Sequence, residues 1–445
     1  MNPYELLAEA RKKVSILYPA LKVNKKREIL RLTYDIARIK KDPLFSFLPG
    51  SAANYEQLKR KLLKLRYPSI YNETPIKNFY LPNPSLDEKE EADISRELKP
   101  PKKIFYEKGA EYSKLFSRLS EKFTSASFIP ISCIREAGDS ISAPSYSLRS
   151  DNWVLIRQKS AFSKKCPCTK GCLSCGYFVL NLGFGCPFEC SYCYLQGYQN
   201  INALILPYNL NDFFIEFDSK FAGLENTIRI GTGEFTDSLA LDEYSGYAAE
   251  LANFFSSRKN VLFELKTKSA ATGGLLGIKS SSSVVVSFSL SPRSVSSKEE
   301  FLCADVGERI KAMKNLSSAG WPVAFHLDPI VYRPDFAELY RELFEEVFSS
   351  VSPEKIKWVS LGTFRFNPET AKMVERRFPR SSILDAEMIL DFDGKLRYPF
   401  KVRKEIYLKI LLMLKKFGLP LDRTYLCMEN EAMWKELSIP AVFRW

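Results

Sequence analysis

The sequence predicts an α/β protein: a partial (β/α)6 TIM-like barrel with an N-terminal helical extension. Three observations carry that reading. From about residue 177 onward, short apolar runs alternate with amphipathic helical stretches, the pattern of parallel strands joined by crossovers. Six such units occur, which favours a partial barrel over an open doubly wound sheet, although periodicity alone serves both. Before residue 80 the apolar residues recur at three- and four-residue spacing instead, the period of helices.

In chain order, YELLAEARKKVSILY, KKREILRLTYDIARIKK and YEQLKRKLLKLRY are the expected N-terminal helices, punctuated by Pro43, Pro49 and Pro68. Residues 81–103, rich in proline and charge, read as a linker. The expected organisation is a basic helical extension and linker (1–102), a middle part with a Cys-rich segment (103–176) and the barrel with C-terminal elements (177–445). The expected strands are YFVLNL (177–182), TIRIGT (227–232), VLFELKT (261–267), VVVSFSL (284–290), PVAFHLD (322–328) and KWVSLGT (357–363). In such barrels the chemistry lies at the C-terminal strand ends. Here those ends carry GTGEFTD, KTKS, SLSP, HLDP and GTFRF.

Of 445 residues, 45% are hydrophobic, ample for a core. No apolar run reaches membrane-spanning length and the N-terminus lacks a signal-peptide core, so a cytoplasmic protein without membrane attachment is expected. Net charge is +13, and residues 1–102 hold 21 Lys/Arg against 13 Asp/Glu. That excess fits either a nucleic-acid partner or a solvated helical surface.

Seven of the ten cysteines fall between Cys166 and Cys193. Crowding of this kind favours metal ligation over a disulfide framework. Cys186, Cys190 and Cys193 have the spacing C-x3-C-x2-C. Three thiolates can hold three irons of a 4Fe–4S cluster and leave the fourth open to a small ligand. A structural zinc would want a fourth ligand nearby, and none follows at finger-like spacing. The trio resembles the radical S-adenosylmethionine (SAM) signature, which implies SAM on the open iron and its reductive cleavage to a 5′-deoxyadenosyl radical. Upstream, Cys166, Cys168, Cys172 and Cys175 (C-x-C-x3-C-x2-C) can close a second site, and a second iron–sulfur cluster or zinc serves equally.

Behind the second strand, GTGEFTDSLALD offers glycines for close backbone approach and Glu234 as a carboxylate for SAM's ammonium, although Asp237 reads equally as a helix cap. His326, the only histidine, shares a strand face with Asp328, which is placed to hold its imidazole. A structural role for that ring is as reasonable as a catalytic one.

With these elements in this order, the chain resembles the spore photoproduct lyase family. CPFECSYCYLQ, FELKTK, SFSLSP, SLGTFRF, GKLRYPFKVRKEIY, LCMENEAMWKEL and KIFYEKGAEY resemble its landmarks, over about residues 103–445. The resemblance implies a radical SAM barrel with a C-terminal hairpin, Cys186, Cys190 and Cys193 as cluster ligands, and Thr236, Lys268 and Ser289 as SAM contacts. It implies Tyr192 and Tyr194 for SAM contact and hydrogen return, and a reduced flavodoxin or ferredoxin-type donor. The family's lyases split a methylene-bridged thymine photoproduct in DNA. They keep a hydrogen-donating thiol in the turn where this chain has Glu234. Two further functions therefore stay open: radical SAM chemistry on another nucleotide or peptide, and a non-catalytic metal protein that binds nucleic acid.

Overall fold

The computed structural model describes residues 1–50, 54–86, 90, 92, 94, 97–142 and 146–439. The chain divides into two compact units: Met1–Ala92 with Ser191–Gly197 and Phe364–Arg403, and Asp93–Cys190 with Tyr198–Thr363 and Lys404–Trp445.

The first unit is built on three helices, α1 (Pro3–Leu17), α2 (Val23–Lys40) and α3 (Tyr55–Arg66). Asn2 and Glu5 form a capping box at the start of α1, with Pro3 where a missing N–H costs nothing. Val14, Ile29, Leu32, Ile36, Leu58, Leu62 and Leu63 make one buried cluster, each side chain contributing about 2 kcal/mol of apolar burial. Part of the N-terminal basic charge is consumed inside this unit. Arg31 forks onto Glu375 (2.5 and 3.0 Å) and meets Asp35 at 3.2 Å; Arg38 pairs with Asp385 at 2.5 Å. Ile389–Leu390 and Leu396–Arg397 form the expected antiparallel hairpin.

Among its described residues the second unit holds twelve strands of three or more residues, in two sheets. In chain order they are β1 (Lys103–Glu107), β2 (Ser127–Ile131), β3 (Asn152–Ile156), β4 (Ser163–Lys165), β5 (Tyr177–Leu180), β6 (Leu204–Pro207), β7 (Ile228–Gly231), β8 (Val261–Thr267), β9 (Val284–Ser289), β10 (Val323–Ile330), β11 (Ile356–Thr363) and β12 (Thr424–Leu426). The order β12-β11-β10-β9-β8-β7-β5-β4 makes the main sheet, curled as a half-barrel and parallel except for β4. All six expected strands are in it. A second, wholly parallel sheet runs β2-β1-β3-β6. Its strands are runs of four or five residues, buried at Asn152–Ile156 and Leu204–Pro207 and partly exposed at Lys103–Glu107 and Ser127–Ile131, with helices and turns between them. Amphipathic helices Tyr247–Ser256, Val306–Ser318 and Phe336–Ser350 cover the main sheet's crossovers.

The interior of the half-barrel is plugged by charge rather than by an apolar layer. Glu264 on β8 accepts from Arg229 Nε and Nη2 (3.1 and 2.7 Å), Ser287 Oγ (2.5 Å) and Trp358 Nε1 (3.1 Å), and bonds His326 Nε2 at 2.8 Å. Where the sequence suggests Asp328 beside His326, the bonded carboxylate is thus Glu264. Gly231 lies beside Glu264 in register, and a Cβ there would collide with the Glu264 carbonyl and the Tyr177 hydroxyl. Only glycine lets β7 and β8 close around the plug. Among the described residues no helix is long and apolar enough to cross a membrane.

Candidate active site

The loop that carries Cys186 and Cys190 follows β5 and is held from within the second unit. Arg149, fully buried, donates from Nε to the Cys186 carbonyl (2.7 Å), from Nη2 to the Phe188 carbonyl (2.7 Å) and from Nη1 to Glu189 Oε1 (2.5 Å). Its guanidinium stacks on Tyr146 at 3.9 Å. A fork of five donors suits several acceptors on one turn. On the other side, Glu189 and Cys190 pair antiparallel with Phe301 and Glu300. This brings the thiol of Cys303 to 3.8 Å from Cys190 Sγ. Nothing in the sequence marked Arg149 or Cys303 for this neighbourhood.

Lys268, just beyond the end of β8, is half-buried. Desolvation opposes its charge, but Cys190 and Glu300 outweigh it and raise its pKa. Lys268 is therefore a cation within electrostatic reach of Cys190, and Glu300 is in turn held by Arg309 at 2.7 Å. Ser289 ends β9 and is buried; its carbonyl accepts from Arg309 Nη1 at 2.9 Å.

The turn after β7 is organised by Asp237. Its Oδ1 accepts from the Leu239 and Ala240 amides (3.0 Å each) and from Thr267 Oγ1 (2.6 Å), and its Oδ2 from the Lys268 amide (2.6 Å). One carboxylate so caps its own turn and ties it to the next strand end. Glu234 does not stand alone as an acceptor for a ligand: its Oε2 meets Lys164 Nζ at 3.0 Å, and that ammonium also lies over the Phe235 ring at 4.7 Å. Thr236 Oγ1 and Asn181 Oδ1, by contrast, are buried with no hydrogen-bond partner among the described residues, and both line one cavity with Gly233 and Leu182. Buried polar atoms are rarely left so, and a polar ligand in this cavity would satisfy both. Together with the Lys268 ammonium beyond the next strand end, these are polar groups of the kind that SAM's carboxylate and ammonium would call on.

In the first unit, Tyr192 packs edge-on to Phe364 at 6.3 Å, while Tyr194 is 44% exposed. Gln196 is anchored to the Ser191 carbonyl (2.6 Å) and by Arg377 (3.0 Å). All ten cysteines are thiols rather than disulfides. Among the described residues no three Cys, His, Asp or Glu side chains stand in the array of a filled metal site.

A family model described as spore photoproduct lyase matches residues 155–398. The spore photoproduct lyase of Geobacillus sp. (strain Y412MC61) is 23% identical over 302 residues, covering 64% of this chain and 85% of its own. That of Bacillus subtilis (strain 168) is 24% identical over 217 residues, covering 47% and 63%. A spore photoproduct lyase complexed with dinucleoside spore photoproduct superposes with a TM-score of 0.64 at 19% identity, over 74% of this chain and 99% of that one. A mutant with bound AdoMet and the same lesion gives 0.63 at 19%, over 75% and 100%. At these identities the structures show the shared fold. The family match takes in more than half of the sequence, and the chain belongs to the spore photoproduct lyase family of radical SAM enzymes.

Proposed function

We propose that Cys186, Cys190 and Cys193 hold a 4Fe–4S cluster, that SAM binds beside it, and that the chain acts on a thymine photoproduct in DNA. When bound, cluster and SAM supply a 5′-deoxyadenosyl radical once a flavodoxin or ferredoxin-type donor delivers an electron. The observation that carries this reading is the trio in CPFECSYC, lying inside the segment that matches the family. The chain's own residues have definable tasks. Lys268 offers a cation for SAM's carboxylate, a charge-assisted contact stronger than a neutral one. Thr236 and Asn181 offer the two unmet polar atoms. The resemblance adds Ser289 and Tyr192 as SAM contacts and Tyr194, partly exposed, for hydrogen return.

One observation favours a second reading. Glu234 replaces the family's hydrogen-donating thiol and is paired with Lys164, a carboxylate in use as a carboxylate. Such a group cannot return a hydrogen atom, so the same radical could serve another nucleotide or a peptide. Anaerobic reconstitution tests the shared part: 5′-deoxyadenosine should form with dithionite and vanish in Cys190→Ala. No cleavage by a fully loaded chain would sink both readings. DNA containing spore photoproduct then separates them, since repaired thymines appear only under the first.

The basic N-terminal surface gives a further expectation. Arg31 and Arg38 are spent internally, so any DNA contact falls to exposed residues such as Lys12, Lys13, Lys22 and Arg27. Reversing these four to Glu should weaken DNA binding by at least tenfold at low salt and flatten its salt dependence. An unchanged salt slope would make the charge a solvated surface only.

A further inference from the structure

The main sheet of the second unit is open, with β4 at one edge and β12 at the other. Both edge strands run directly into cysteine: β4 ends at Lys165, before Cys166, and β12 ends at Leu426, before Cys427. The 166–176 loop then crosses to the opposite edge. The Leu173 amide donates to the Glu429 carbonyl (2.9 Å), Cys172 forms an isolated antiparallel bridge with Asn430, and Thr169 Oγ1 contacts Met428 Sδ at 3.9 Å.

The loop itself is folded tightly enough to gather its thiols. The Cys166 amide donates to the Tyr177 carbonyl, and the Cys168 amide to the Cys166 carbonyl, each at 2.8 Å. The Cys166 side chain is hydrogen-bonded to Cys168 and within electrostatic reach of Cys175 and Cys427. Cys427, far away in sequence and without a cysteine neighbour there, is thus brought beside the thiols of the 166–176 loop. Its amide is fixed by the Leu361 carbonyl at 2.7 Å. Proximity of the Cys166, Cys168, Cys175 and Cys427 thiols, on two backbone segments already joined by hydrogen bonds, is the arrangement from which thiolate metal sites are built, with side-chain rotation left to complete the coordination.

We propose that Cys427 joins Cys166, Cys168 and Cys175 as the four thiol ligands of a second metal centre, which staples the two open edges of the half-barrel. Four thiolates suffice for Zn2+ or for an iron–sulfur cluster, the same sulfur chemistry in both cases. The centre needs neither SAM nor the Cys186–Cys193 trio, so it stands or falls apart from the proposed function.

The test uses the full chain with Cys186, Cys190 and Cys193 all changed to Ala. Purified without oxygen, it is titrated with Zn2+ alone and, separately, with Fe2+ and sulfide; metal per chain is then measured. We expect about one zinc or about four irons per chain. Adding Cys427→Ser should weaken metal retention against a competing chelator at least tenfold, and Cys133→Ser should leave it unchanged. Chelation should lower the unfolding midpoint of the parent and not of Cys427→Ser. Should the trio replacement unfold the chain, Cys427→Ser alone gives the same readout as the loss of one zinc or about four irons from the unaltered chain. Zinc uptake identifies a structural ion, and iron with sulfide a cluster; either supports the site. A chain that takes up neither, or a Cys427→Ser variant that holds metal as tightly as its parent, overturns it.

Discussion

Arg149→Ala is expected to abolish iron loading by the Cys186–Cys193 trio while touching none of its thiols. The substitution strips the Cys186 and Phe188 carbonyls of their donor and leaves Glu189 buried without its guanidinium. Breaking a buried pair of this kind costs about 3–5 kcal/mol, much of it the uncompensated charge. The cost falls on the turn that must present Cys186 and Cys190 together. Iron per reconstituted chain should therefore fall by about four relative to the parent, and SAM cleavage should be lost with it. Arg149→Lys keeps the charge but not the fork, and should recover only part of the loading. The double variant Arg149→Met, Glu189→Met separates the two components. Removing both charges should restore much of the stability, but not the cluster, because the carbonyls still lack their donor. Full iron loading in Arg149→Ala would show that the loop holds its shape unaided.

Arg149 also shows where sequence reading stops. The six barrel strands were legible because each is a compact apolar run, and the observed bounds agree with the expected ones to within two residues. The trio was legible because its ligands sit within eight residues, so spacing alone encodes geometry. The clamp on that trio lies 37 residues upstream of Cys186, in a segment with no periodicity. Its role exists only once β3 and the loop after β5 are folded. The β2-β1-β3-β6 sheet escaped notice for a related reason. Its strands are four- or five-residue runs among turns, too short for a period to emerge. Cys427 carries no signal in the sequence because its cysteine neighbours in the fold come from the far edge of the sheet. For the plug a signal was available. Arg229 and Glu264 each interrupt an apolar strand, and a charge inside such a run asks for a partner across the barrel.

The same contrast bears on function. On the proposed reading, radical generation rests on closely spaced residues, from the trio to the turn organised by Asp237. The use of the radical would depend on single positions such as Glu234, whose pairing with Lys164 became visible only in the fold. Membership of the family thus constrains cofactor handling more tightly than the fate of the substrate radical.

Glu264→Ala should be the most destabilising single change in the half-barrel, by about 3–5 kcal/mol. It would leave Arg229, buried among Tyr177, Trp358 and Tyr425, without its counter-charge, and the Trp358 and Ser287 donors without an acceptor. Glu264→Gln should also be costly, since its amide nitrogen would face donors on either side. The plug further predicts a pH dependence. Burial outweighs Glu264 and holds the His326 pKa below its ordinary 6.5, so the folded ring stays neutral where the unfolded one takes a proton. Stability should fall as pH drops below about 6.5. Glu264 acts in the same direction lower down: burial disfavours its charge, but Arg229 and His326 prevail and keep it ionised well below the ordinary 4.5. Its contribution is complete above that value and is lost on further acidification. Burial raises Asp242 and Asp385, which favours protonation in the folded state and works in the opposite direction. The discriminating quantity is therefore the difference between wild type and His326→Gln, followed by urea unfolding from pH 8 to 5. Because the chain has a single histidine, the limb just below pH 6.5 should flatten in that variant. Identical slopes in the two proteins would mean that His326 keeps the same proton affinity folded and unfolded, and that the plug does not tune it.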